Sequence, residues 1–167
     1  MTWTANNGHL DATKVLLDRG ADIEHRSNDA KTPLLWAAMW GHLEVVQLLV
    51  ERGANINVHD HDGMTAIMLA TKGGHIHVVE YLIEKGAHVY TKNFYIGTAL
   101  TIAKVKGYTD LENLLEQFFP EELTTNPYLL VMYHMYNAVL RRYKLFLRAV
   151  RYYTGLSPTL DMTEDEL

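Results

Sequence analysis

The sequence predicts an all-α solenoid of short helix pairs joined by hairpin loops, followed by a long C-terminal helix packed as a cap. The first observation behind it is a period. Gly8, Gly41, Gly74 and Gly107 recur every 33 residues, and so do Gly20, Gly53 and Gly86, and Thr32, Thr65 and Thr98. Three combs in one register mark stacked repeats, since one such unit cannot bury its apolar face alone. The second is the wide apolar stripe at 43, 45, 46, 48 and 49 and again at 76, 78, 79, 81 and 82, which suits a helix covered by neighbours. The third is the loss of the period at Phe119-Pro120, beyond which apolar residues recur at three- and four-residue steps.

The repeats fill residues 1–119, with units starting near 1, 32, 65 and 98. The first begins only at Thr2, aligned with Leu35, and lacks its loop and half of its first helix. The apolar face of Trp3 is therefore expected to stand open, and the chain to be a segment of a longer protein. In the later units Thr32, Thr65 and Thr98 each stand as an N-cap before an apolar segment, with Pro33 at the first helical position. Gly20, Gly53 and Gly86 close the second helix, where a left-handed backbone is cheapest for glycine. Gly63 has no glycine one period away, since Ala30 and Ile96 hold the equivalent positions, although Gly97 follows Ile96 at once.

Residues 120–126 read as a linker, ending in Asn126 as N-cap and Pro127 at the first helical position. Residues 127–154 read as a basic amphipathic helix, its stripe running through Met132, Tyr136, Val139, Leu140, Tyr143, Phe146, Leu147 and Val150. Residues 155–167 form an acidic tail that reads as disordered. Ten basic against sixteen acidic residues give −6 for residues 1–126, while 127–154 carries +5 and the tail −4. The overall charge of −5 hides that division.

Gly8-His9-Leu10, Gly41-His42-Leu43, Thr32-Pro33-Leu34, Gly20-Ala21-Asp22-Ile23 and Gly53-Ala54-Asn55-Ile56-Asn57 stand at matching phases of the period. In these motifs the chain resembles the ankyrin repeat family over residues 2–119. The resemblance implies a stack of helix–turn–helix units with hairpins projecting at the side, and a protein that binds other proteins. It also makes His9, His42 and His75 structural and places Trp36 in the core. The family's loop-tying histidine is replaced by Leu35, Met68 and Thr101, so bonding between hairpins is expected to be weaker.

Composition excludes several classes of chemistry. With 167 residues, 48% hydrophobic and 21% charged, the chain can bury one core of ordinary size. It has no apolar run of membrane-spanning length and no signal-peptide pattern at its start, which predicts a soluble, intracellular protein, cytoplasmic or nuclear. Zero cysteines remove disulfides, thiolate nucleophiles and Cys-ligated metals together. No phosphate loop, GxSxG or HExxH occurs, so no catalytic residue and no cofactor is assigned and the segment is read as not an enzyme. His59-Asp60-His61-Asp62 is the one cluster with a metal reading, but a closed zinc site needs four ligands, and the run reads better as a turn.

The resemblance makes a partner protein the expected ligand. The resemblance implies a concave surface built from hairpin tips and the exposed ends of the first helices. The tips are Arg26, Asn28, Asp29 and Lys31, then His59, His61, Asp62 and Met64, then Lys92, Phe94, Tyr95 and Gly97. The helix ends are Asn6 and Asn7, Met39 and Trp40, Lys72 and Gly73, and Val105 and Lys106. Met39-Trp40 and Phe94-Tyr95 are unexpectedly apolar for solvated positions, and such residues become interface hot spots. Two alternatives remain. Arg141, Lys144, Arg148 and Arg151 could tether the module to anionic lipid or nucleic acid, or the segment could be the regulatory or targeting arm of an enzyme whose catalytic domain lies elsewhere.

Overall fold

The computed structural model describes residues 1–95 and 97–118, and the linker, basic helix and acidic tail expected beyond residue 118 lie outside the described residues. Helices alternate between two rows. The inner row holds α1 (Thr2–Asn6), α3 (Pro33–Trp40), α5 (Ala66–Gly73) and α7 (Ala99–Lys106), and the outer row α2 (Leu10–Asp18), α4 (Leu43–Glu51), α6 (Ile76–Glu84) and α8 (Thr109–Glu116). In the inner row α3 packs between α1 and α5, and α5 between α3 and α7; in the outer row α4 packs between α2 and α6.

Local sequence explains each boundary. Thr32 and Thr98 sit in extended backbone and accept the amides of Leu35 and Thr101 at Oγ1, at 3.4 and 3.3 Å. Thr65 occupies the same position in the same conformation, yet its side chain makes no cap bond and its hydroxyl oxygen is buried without a partner. Backbone geometry, rather than a hydroxyl bond, starts α5.

Each outer helix of the first three units stops in one way. Gly53 donates to the Val50 carbonyl and Ala54 to that of Leu49, both at 3.0 Å, with Gly53 at φ 89°. These two bonds satisfy carbonyls the helix leaves open. The same pair recurs at Gly20-Ala21 and Gly86-Ala87.

The core lies between the rows. Val45, Val46 and Leu49 of α4 and Val78, Val79 and Leu82 of α6 are buried against inner helices whose facing residues are small, including Ala37, Ala38, Ala70 and Thr71. Small residues let the rows approach closely, and the valines and leucines fill the space between them. In the first unit the equivalent pair is polar, with the Thr13 hydroxyl buried 3.1 Å from that of Thr4 and 2.8 Å from the His9 carbonyl. Trp3 is 68% exposed and Val15 is exposed, so the apolar face of Trp3 stands open as expected.

Trp36 is half-buried rather than core, whereas its repeat equivalents Leu69 and Ile102 are buried. An indole is larger than the leucine its position suits, and part of it stays uncovered. The Lys31 ammonium lies 5.5 Å from its ring centroid.

Candidate functional site

Hairpins and inner-helix ends are tied from unit to unit by bonds that recur with the period. At the hairpins the key position is held by Ser27, Asp60 and Asn93, spaced by 33. Asp60 Oδ1 accepts the amides of Asp62 and Met64 at 3.0 and 2.9 Å, closing the turn, and Asn93 Oδ1 does the same for Tyr95 and Gly97 at 3.3 and 2.8 Å. Such side-chain acceptors organise a loop without a ladder. Asn93 therefore builds the third hairpin, and Gly97, at φ 106°, takes the left-handed position that Ile96 would resist. Ala30 adopts φ 57° in the second hairpin, the one non-glycine residue with positive φ among the described residues.

The same column links adjacent hairpins. Lys31 Nζ reaches Asp60 Oδ2 at 3.0 Å, and one unit later the Asn93 amide donates to Met64 Sδ at 2.9 Å. Backbone bonds run beside them, from His61 to the Asp29 carbonyl at 3.4 Å and from Phe94 to the Asp62 carbonyl at 3.2 Å. The absent loop histidine is thus replaced by an ion pair, an amide–thioether bond and main-chain contacts.

At the other end of the inner helices, His42 Nε2 lies 3.0 Å from the Asn6 carbonyl and His75 Nε2 3.2 Å from that of Met39. A carbonyl can only accept, so Nε2 carries the proton in both bonds. Each ring also packs on the glycine one unit back: a Cβ added to Gly8 would stand 2.6 Å from His42 Nδ1, and one added to Gly41 would collide with His75. The His9 ring lies beside that of Trp3, tilted by 42° with centroids 5.3 Å apart.

Two residues expected at the binding surface belong to this internal bonding instead. Met64 is 4% exposed under the Asn93 amide, and Lys31 is largely covered by Asp60 and Trp36. Both occupy the fourth residue after the Ser/Asp/Asn column, so each side chain runs toward the next hairpin rather than to solvent. The signal in the sequence is that column, which sets Asp60 apart from its histidine neighbours by its equivalence to Ser27 and Asn93. Its carboxylate is 2% exposed with both oxygens engaged. His59 and His61 stay exposed, and among the described residues no group of three or more His, Asp or Glu could hold a metal ion.

The remaining surface residues do reach solvent. Arg26, Asn28, Asp29, His61, Asp62, Lys72 and Lys106 are exposed, and Met39 is half-buried. Trp40 is 54% exposed, Tyr95 72% and Phe94 43%, the last with its ring over the Gly63 turn, where an added Cβ would stand 3.3 Å from Cε2. The inner-helix end next to Trp40 is held close, since a Cβ on Gly73 would meet the Met39 carbonyl at 3.0 Å. Arg141, Lys144, Arg148 and Arg151 lie outside the described residues.

No described helix is long and apolar enough to cross a membrane. An open groove between the end of α6 and Phe118 is lined by His88, Tyr90 and Thr91 with apolar neighbours, and among the described residues no carboxylate lines it. A family model for ankyrin repeats (many copies) matches residues 1–50 and again residues 34–83. No curated protein matches the chain. The structure carries the same caps and glycine stops on through Thr98 and Gly107. Ankyrin repeats are generally protein–protein interaction modules and typically non-catalytic. With the repeat matched in sequence and its geometry present from α1 to α8, the chain belongs to the ankyrin-repeat family.

Proposed function

We propose that this chain binds a partner protein through the row of hairpin tips and inner-helix ends. One observation carries the reading: Trp40 and Tyr95, two of the largest side chains in the repeats, stand more than half exposed on elements held by inter-unit bonds. A rigid, exposed aromatic loses little conformational entropy on binding and desolvates a large area, which is why such residues dominate interfaces. Arg26, Asn28, Asp29, His61, Asp62, Lys72 and Lys106, exposed on the hairpin tips and inner-helix ends, supply polar contacts, with Met39 and Phe94 as partly covered apolar ones.

The test is the affinity of a partner recovered with the wild-type chain, measured by calorimetry against Trp40→Ala and Tyr95→Ala. Each substitution is expected to weaken binding by about 1–3 kcal/mol while the denaturation midpoint stays in place. Parallel losses of midpoint and affinity would assign the two side chains to packing and overturn the reading.

A further inference from the structure

Charge divides between the two rows of helices. Among the described residues the inner helices contain no aspartate or glutamate at all, and their charged residues are Lys72, Lys104 and Lys106. Every outer helix carries two or three acids. Helix dipoles explain part of this, since lysine in a last turn and acid in a first turn are both favourable. They do not explain Asp18, Glu51 and Glu84, which end α2, α4 and α6 where negative charge is disfavoured. The division therefore follows the row and not the helix end.

Lys104 is engaged by Glu116 and Glu112 of α8. Lys72 and Lys106 are exposed in the last turns of α5 and α7, at the inner-helix ends that follow Met39-Trp40. Gly73, the repeat equivalent of Trp40, has no side chain to lay against the indole from the next unit. A row of inner helices without acids, carrying an open indole and two ammonium groups with no ion pair among the described residues, complements negative charge and an apolar anchor together, while Asp29 and Asp62 stand apart on the hairpin tips.

We propose that the partner segment is an extended acidic peptide with an apolar anchor, its carboxylates meeting Lys72 and Lys106 and its anchor lying on Trp40. This rests on the binding role proposed above and gives it a chemical class of ligand. A displayed library of random 16-residue peptides, selected on the full chain and counter-selected on Trp40→Ala, is the test. The selected peptides are expected to be enriched in Asp and Glu around one aromatic or aliphatic residue. Synthesised and measured by fluorescence anisotropy, they should weaken about tenfold or more on Lys72→Glu with Lys106→Glu and fade as salt rises. Lys72→Gln with Lys106→Gln serves if the reversal lowers the denaturation midpoint.

Peptides that need Trp40 but lack acids and ignore both lysine variants overturn the inference and leave the binding role standing. Acidic peptides lost only when Arg141, Lys144, Arg148 and Arg151 become Gln overturn it as well, moving acid recognition to the basic segment. A library yielding no peptide dependent on Trp40 or Tyr95 overturns the binding role itself.

Discussion

Asp60 shows how one side chain can be read two ways. Beside His59 and His61 it resembles half a metal site, but its oxygens are already committed to two amides and a lysine. Removing it strands Lys31 at a largely covered position and leaves the amides of Asp62 and Met64 without an acceptor. Asp60→Ala is expected to cost on the order of 3 kcal/mol, and Asp60→Asn clearly less, since Asn93 closes the same turn one unit on. A double-mutant cycle with Lys31→Met in urea denaturation isolates the pair, and a coupling near zero would mean that the turn alone matters. Glycines divide in the same manner. Gly53 and Gly41 both have positive φ, but a Cβ on Gly53 meets nothing within 4 Å and one on Gly41 collides with His75. Gly53→Ala is expected to cost about 1 kcal/mol through the backbone alone, and Gly41→Ala about 2–3 kcal/mol. Equal shifts of the two denaturation midpoints would contradict the histidine packing.

At the scale of the helix, two alkaline titrations report on packing, one at Lys104 of α7 and one at Tyr81 of α6. Glu116, hydrogen-bonded at 2.7 Å, raises Lys104 above its ordinary 10.5, and Glu112 adds to the effect. The folded state thus holds the lysine proton more tightly, so this tie between α7 and α8 is fully present below pH 10.5 and is lost as pH climbs through the raised value. The groups are half exposed, so Lys104→Met should cost less than about 1 kcal/mol at neutral pH. Burial raises the Tyr81 phenol above 10.0, opposed by Lys85, and its hydroxyl oxygen has no partner. Folding favours the neutral phenol, so stability declines as pH rises beyond 10. Tyr81→Phe is expected to be neutral or stabilising by up to about 1 kcal/mol at pH 7, because no bond is lost with the hydroxyl. Combining it with Lys104→Met should flatten the alkaline limb of thermal stability, and an unchanged limb would sink both assignments.

Across the stack, one column shows how stability is shared. Leu16, Leu49, Leu82 and Leu115 are repeat equivalents; the last three are fully buried, and Leu16 is only half-buried in the incomplete first unit. In a solenoid each unit is held by its neighbours, so a cavity in the middle weakens two interfaces and one at the end weakens a single interface. Leu82→Ala is expected to cost about 2–5 kcal/mol and Leu16→Ala less. Hydrogen exchange should speed up on both sides of α6 in the first variant but only near α1 and α2 in the second. Uniform loss of protection in both would indicate one cooperative block instead of coupled units.

The sequence by itself determined the repeat, its phase and its caps, because these depend on local chemistry: a threonine before a helix, a glycine at positive φ, an apolar residue each time the outer helix faces inward. The resemblance to the ankyrin repeat, carried over position by position, implies that Trp40 and Tyr95 stand exposed, and both are more than half exposed. Tertiary structure decided the rest. Lys31 and Met64 looked like free loop residues because their partners, Asp60 and Asn93, lie a whole unit away in sequence and adjoin them only once the hairpins stack. The resemblance places Trp36 in the core because the position is a consensus leucine of the family, and only packing shows that the indole is too large to be enclosed there. Thr65 holds its position at a helix start in extended backbone, without the cap bond its residue type suggests. Period and phase are written in single residues, whereas contacts between units belong to pairs, and only the stack brings those pairs together.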